Sequence, residues 1–206
     1  GVRVENYICD LEDQNQRTEL IKKVKHSGLG LNILINNAAF AGTSNLPGWG
    51  VPFEKQSIDT WRRALEVNLT AVFDLSKGLF PLLRASKTGS IVNIASIYGI
   101  FGPDWSLYEG TSMSNPAAYA ASKGGLIQLT RWLATTISPE VRVNAISPGG
   151  IFRNQPEEFV KRYQAKTPLG RMGNEEDFRG AIAYLTSDLS RYVTGVNMVI
   201  DGGWGV

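Results

Sequence analysis

The chain has 206 residues, 43% hydrophobic and 19% charged, with a formal charge of +2. That is enough length for one domain with a substantial core, and too little charge, too evenly spread, for a nucleic-acid surface. No apolar run approaches the ~20 residues needed to cross a bilayer. The single histidine, His26, leaves no basis for a His-rich metal site or a Ser-His-Asp triad, so no metal is expected. The single cysteine, Cys9, cannot form an internal disulfide, which fits a cytoplasmic protein.

Along the chain, short β-branched runs alternate with segments of helical period. Val2–Cys9 reads as a first strand, and Thr18–Lys25 lies in the helix after it. Leu31–Ile35 is a buried strand ending in Asn36-Asn37-Ala38-Ala39, followed by a Gly/Pro-rich loop from Gly42 to Pro52. A helix spans about Ile58 to Leu83, and Asn68 interrupts its apolar stripe of Trp61, Leu65, Leu69 and Val72. Ser90–Ser96 is the next strand, and a long loop leads to a helix over about Pro116 to Ile137. Val141–Ser147 is a strand stopped by Pro148-Gly149-Gly150. Two shorter helices, about Pro156–Ala165 and Glu175–Ser187, precede a last strand, Val196–Ile200, closed by Asp201-Gly202-Gly203. Near-continuous apolar strands between helices predict an α/β fold, a parallel sheet covered on both faces, in one domain over residues 1–206.

Tyr119 and Lys123 are four residues apart on one predicted helix face. A free phenol titrates near pKa ~10, and a cation held beside it favours the phenolate, which would suit acid-base work. In open α/β sheets, functional residues gather at the carboxyl ends of strands. Here those ends carry Asn36-Asn37-Ala38-Ala39, Ser96 and Pro148-Gly149-Gly150-Ile151.

Together with Val67-Asn68-Leu69, Ile94-Ala95-Ser96, Tyr119-x-x-x-Lys123, Ser147-Pro148-Gly149, Pro168–Gly173 and Asp201-Gly202-Gly203, this series resembles the short-chain dehydrogenase/reductase family over nearly the whole chain. The resemblance implies a doubly wound, Rossmann-like sheet and a hydride transfer between NAD or NADP and a carbonyl/alcohol pair. It implies catalytic roles for Asn68, Ser96, Tyr119 and Lys123. Tyr119 would exchange the proton, Lys123 would lower its pKa and bond the nicotinamide ribose, Ser96 would hold the substrate oxygen, and Asn68 would anchor a relay water. Cofactor contacts fall to Asp10, Leu11, Asn37, Ala38, Ala39, Pro148, Gly149 and Ile151, besides Tyr119 and Lys123. Asp10 reads equally well as a helix N-cap. A homodimer or homotetramer is implied, paired through the long helices, with Leu79, Phe80 and Trp132 as apolar candidates.

Three departures from the family pattern carry expectations of their own. The Gly-rich dinucleotide turn is missing, so the chain is expected to be incomplete at its N-terminus and to lack the family's first two strands, which would lie between Val2–Cys9 and Leu31–Ile35. Tyr119 follows Ser96 by 23 positions, and the lengthened stretch offers Trp105, Tyr108 and Glu109 as a substrate-facing wall suited to a sugar or polyol. Arg153 stands where the family often has Thr, and would hold an anion on the substrate. The loop and the Gly150–Pro156 segment are similar to oxidoreductases of flagellin modification and nonulosonate sugar synthesis. The rival readings are a non-catalytic nucleotide-binding member of the family, or a fragment inactive alone.

Overall fold

The computed structural model describes residues 1–41 and 44–206; Gly42 and Thr43, at the head of the Gly/Pro-rich loop, lie outside the described residues. Four strands, β1 (Ile33–Asn36), β2 (Gly89–Ile94), β3 (Val141–Pro148) and β4 (Asn197–Ile200), form one parallel sheet in the order β1-β2-β3-β4. Ile33 lies opposite Ser90, Gly89 opposite Val141, and Ala145 opposite Asn197.

Successive side chains of a strand face opposite sides, so Ile91 and Val92 enter different layers. On one face Ile91 and Val143 pack with Leu83, Leu133 and Ala134 from helices α3 (Ala71–Ala85) and α4 (Ala117–Thr136). On the other, Val92 and Ile146 pack with Leu185 and Ile182 of α6 (Glu176–Thr186). Burial on both faces is why these strands read as apolar runs. A buried polar ladder crosses one layer: Asn36 Nδ2 donates to Asn93 Oδ1 at 2.8 Å, and Asn93 Nδ2 donates to Thr130 Oγ1 at 2.9 Å. It ties β1 and β2 to α4. Among the described residues, no helix is long and apolar enough to cross a membrane.

Two expectations about elements need correction. Val2–Cys9 is not a strand. Val2 is 89% exposed and Ile8 fully so, and the segment pairs with no strand among the described residues. A strand persists only where a neighbour takes its backbone groups, and no such neighbour lies between this segment and β1. The long helix from Ile58 is divided as well. It runs as α2 (Ile58–Leu65), a π-helical turn over Glu66–Thr70, and α3. Within the turn the Ala71 amide reaches back to Glu66 O, and π turns of this kind gather at functional sites.

Helix α1 (Gln14–His26) begins at Asp13, whose carboxylate accepts from the Asn15 and Gln16 amides. Asp10 is therefore not the N-cap; its carboxylate accepts from Glu12 N at 2.9 Å in the preceding turn. Arg17 anchors α1 to the π turn and α3. The buried guanidinium pairs with Glu66 at 2.7 Å and Asp74 at 2.9 Å and donates to the Leu11 carbonyl. Leu79 packs in the core, whereas Phe73 and Trp132 are exposed on α3 and α4. The outward apolar face is thus not the one that Leu79 marked.

Candidate active site

At the end of β2 the chain turns sharply. Ser96 is extended, and its hydroxyl accepts from the Tyr98 amide at 3.2 Å, opening a 3-10 turn over Ile97–Gly99. That turn rests on the backbone of α4. A Cβ at Gly99 would stand 2.7 Å from Lys123 C and 2.8 Å from Lys123 O. Glycine allows this approach, which brings Ser96 to the helix face carrying Tyr119 and Lys123.

The Lys123 ammonium is 5.8 Å from the Tyr119 ring centroid and donates to the Ile94 carbonyl at 2.6 Å. Lys123 is only 3% exposed, and loss of hydration lowers its pKa to about 8. Burial also raises the Tyr119 phenol above its ordinary range, with the Ser96 hydroxyl pulling weakly the other way. The expectation that Lys123 draws this phenol down is not met in the protein alone. Both groups are desolvated, and the ammonium is committed to the Ile94 carbonyl.

Asn68 sits in the π turn, and its side chain makes three hydrogen bonds. Its Oδ1 accepts from Phe40 N at 2.8 Å, and its Nδ2 donates to Phe40 O and Ser122 Oγ, each at 3.0 Å. Ser122 lies between Tyr119 and Lys123 on α4 and is itself bonded to Tyr119 O. Asn68 therefore clamps the loop after β1 onto α4, with both protons of its Nδ2 engaged.

These groups open into a cleft of about 350 Å³ at the carboxyl ends of β1, β2 and β3. Of the residues expected there from the sequence, Asn37, Ala39, Ser96, Tyr108, Tyr119, Lys123, Pro148, Gly149, Ile151 and Arg153 line it. Asp10, Leu11, Ala38, Trp105 and Glu109 do not. Trp105 is exposed and packs its ring on Tyr108 with centroids 5.6 Å apart. Glu109 is exposed, and its carbonyl accepts from Arg162. Of the three wall residues expected from the extra stretch, only Tyr108 lines the cleft. Arg153 is also less available than its charge suggested, since its guanidinium pairs with Glu175 at 2.6 Å and donates to Phe152 O at 2.8 Å.

Other lining residues were not singled out in the sequence. Tyr98 and Tyr108 join their hydroxyls at 2.7 Å, and Asn115 lies beside them. Tyr163, from α5 (Glu157–Lys166), closes another side and accepts from Gly150 N at 2.5 Å. A Cβ at Gly150 would stand 2.7 Å from the Tyr163 ring, so the Pro148-Gly149-Gly150 turn and α5 require that glycine. An aromatic circuit backs the cleft. Tyr108 meets Phe159, Phe159 meets Tyr163, Tyr163 stacks on Trp204, and Trp204 contacts Tyr98. The segment Asn115-Pro116, ahead of the Tyr119 helix, carried a weak signal: a polar residue next to a helix-starting proline.

A parallel sheet with a cleft at the carboxyl ends of its strands has the ligand-binding arrangement of open α/β folds. Residues 1–205 match the family model described as enoyl-(acyl carrier protein) reductase. The chain is 32% identical, over 98% of its length and 77% of the relative's, to a 3-oxoacyl-[acyl-carrier-protein] reductase of Thermotoga maritima. It is 32% identical to post-translational flagellin modification protein A of Campylobacter coli, over 77% of this chain and 62% of that protein. Among solved structures, a short chain dehydrogenase from Leptospira borgpetersenii with bound NAD+ superposes with a TM-score of 0.86 at 38% identity, covering 96% of this chain and 74% of that one. A NAD+-bound xylitol dehydrogenase gives 0.82 at 28% identity, covering 96% and 78%. The chain belongs to the short-chain dehydrogenase/reductase family.

Proposed function

We propose that the protein uses NAD or NADP to interconvert an alcohol and a carbonyl on a sugar, polyol or related hydroxylated substrate. The observation that carries this reading is the convergence of Ser96, Tyr119 and Lys123 on one cleft at the carboxyl ends of the strands. The Leptospira relative with bound NAD+ supports the cofactor class, and the likeness to xylitol dehydrogenase supports the substrate class.

The residues present fit a nicotinamide cofactor. The β1–β3 side of the cleft offers backbone and small groups at Asn37, Ala39, Gly149 and Ile151, which leaves space for a flat ring. Lys123 Nζ has three donors, of which one goes to Ile94 O, so others remain for ribose hydroxyls. When bound, the nicotinamide supplies or takes up the hydride. Ser96, a neutral donor, holds the reacting oxygen where negative charge develops. Tyr119 gives a proton to that oxygen in reduction and removes it in oxidation. Burial keeps the phenol protonated in the protein alone, a state suited to acid catalysis, and a cationic ring nearby would favour its ionised form. Asn68 is a positioning residue that acts through Phe40 and Ser122.

A homodimer or homotetramer built on the outer faces of α3 and α4, where Phe73 and Trp132 are exposed, completes this reading, in a cytoplasmic setting. The test is a panel of polyols, aldoses and their uncharged deoxy analogues, assayed with NAD and with NADP by nicotinamide absorbance. Turnover of hydroxylated substrates supports the proposal; turnover confined to apolar alcohols or acyl thioesters refutes the substrate class.

A further inference from the structure

The Tyr98, Tyr108 and Asn115 group lies in the cleft, but the proton exchange at Ser96 and Tyr119 makes no use of it. The three come from separate parts of the lengthened stretch between Ser96 and α4, and all line the same cavity. Asn115 is 6% exposed, and its Oδ1 has no hydrogen-bond partner among the described residues. A buried amide oxygen without a partner is costly unless a ligand satisfies it.

Counting donors and acceptors narrows the chemistry of that ligand. The two phenols share one O–H···O bond at 2.7 Å, which uses one of their two protons. The Asn115 amide favours the ionised form of both phenols, as an N–H donor nearby does. One phenol proton and one amide oxygen are left over. Burial raises both phenols above their ordinary range, so both stay neutral at physiological pH. A carboxylate would accept the proton but would face the lone pairs of Oδ1. An ammonium would satisfy Oδ1 and leave the phenol proton without an acceptor. A hydroxyl does both.

We propose that Tyr98, Tyr108 and Asn115 bind a second hydroxyl of the substrate, separate from the one that reacts at Ser96 and Tyr119. The aromatic circuit through Phe159, Tyr163 and Trp204 holds the phenols rigid, so little ordering is required on binding. The terminal torsion of Asn is broad, which lets Oδ1 turn toward an entering hydroxyl. A site built to bond a hydroxyl rejects analogues lacking it, because its own buried groups then stay unpaired.

The inference rests on the oxidoreductase reading, and the experiment separates the two. The protein is assayed with NAD and NADP on cyclohexanol and on the 1,2-, 1,3- and 1,4-cyclohexanediols, alongside Asn115→Leu and Tyr98→Phe. Wild type is expected to prefer at least one diol over cyclohexanol in kcat/KM by tenfold or more, and each variant is expected to reduce that ratio at least tenfold. A diol preference that survives both substitutions, or none in the wild type, overturns the proposal. Should no alcohol be oxidised, the oxidoreductase reading fails by itself, and calorimetric titration of the same diols still decides the pocket. Diol binding weakened tenfold by Tyr98→Phe upholds it; equal or absent binding overturns it. Tyr98→Phe removes one oxygen and keeps the ring packing, so it answers the question if Asn115→Leu fails to fold.

Discussion

Two segments with similar apolar patterns end in opposite states. Ser90–Ile94, within β2, has neighbours on both sides, and Ile91 and Val92 are completely buried. Val2–Cys9 has no regular structure and pairs with no strand among the described residues, and Val2 and Ile8 face solvent. β1 stands between these extremes. It pairs with β2 alone, and Ile33 and Ile35 are 40% and 42% exposed. The difference teaches that an apolar β-branched run is only a capacity for sheet formation. Neighbouring backbone and a covering helix decide whether it is used. The groups proposed for catalysis, Ser96, Tyr119 and Lys123, lie on the well-paired side, at the end of β2 and on α4.

The largest effect should fall on that side without disturbing it. Tyr119→Phe removes one hydroxyl and keeps the ring, so kcat should fall by about 10²–10⁴-fold while the thermal midpoint holds. Near-normal turnover by the folded variant would refute the assigned role.

The comparison itself is broken or upheld by a pair of isoleucines. Ile91→Ala should cost about 2–5 kcal/mol in urea denaturation, since it opens a cavity between β2 and the α3–α4 layer. Ile8→Ala should change stability by no more than about 0.5 kcal/mol, because the side chain is already in water. Equal losses at the two positions would show that Val2–Cys9 packs in solution after all.

A smaller loss is expected from Asn68→Ala, at about 1–3 kcal/mol, because Phe40 N–H and C=O and Ser122 lose their partner. The same denaturation series measures it. A neutral result would mean that the loop after β1 is held on α4 by other contacts.

The smallest effect is a change of slope with pH. Burial puts the Lys123 pKa at about 8, below its value in the unfolded chain. Between about pH 8 and the unfolded pKa of ~10.4, the unfolded state binds more protons, so this group makes stability rise with pH by at most about 1.4 kcal/mol per unit. Below pH 8 both states are protonated and the contribution is flat. The Tyr119 phenol acts oppositely, but only above its own unfolded pKa of ~10. The difference in urea midpoint between the protein and Lys123→Met should therefore shift in the protein's favour from pH 7.5 to 9.5. A constant difference would mean that Lys123 is hydrated in solution.

By itself the sequence determined the succession of strands and helices, the parallel sheet and the placing of Ser96, Tyr119 and Lys123 as candidates for one site. These depend on local period and on motifs at strand ends: Ile94-Ala95-Ser96, the i,i+4 spacing of Tyr119 and Lys123, and the break at Pro148-Gly149-Gly150. Only the tertiary structure decided which residues share the cleft. Tyr108 turns in while Trp105 and Glu109 stay outside, although all three lie within five positions, because Phe159 of α5 receives the Tyr108 ring and Tyr98 its hydroxyl. Arg153 looks like a free cation until Glu175, distant in sequence, is placed beside it. The tyrosine pKa follows the same rule: its spacing to Lys123 was legible, but the depth of burial that raises it was not. Desolvation and side-chain pairing depend on what the rest of the chain brings into contact, and no local pattern encodes that.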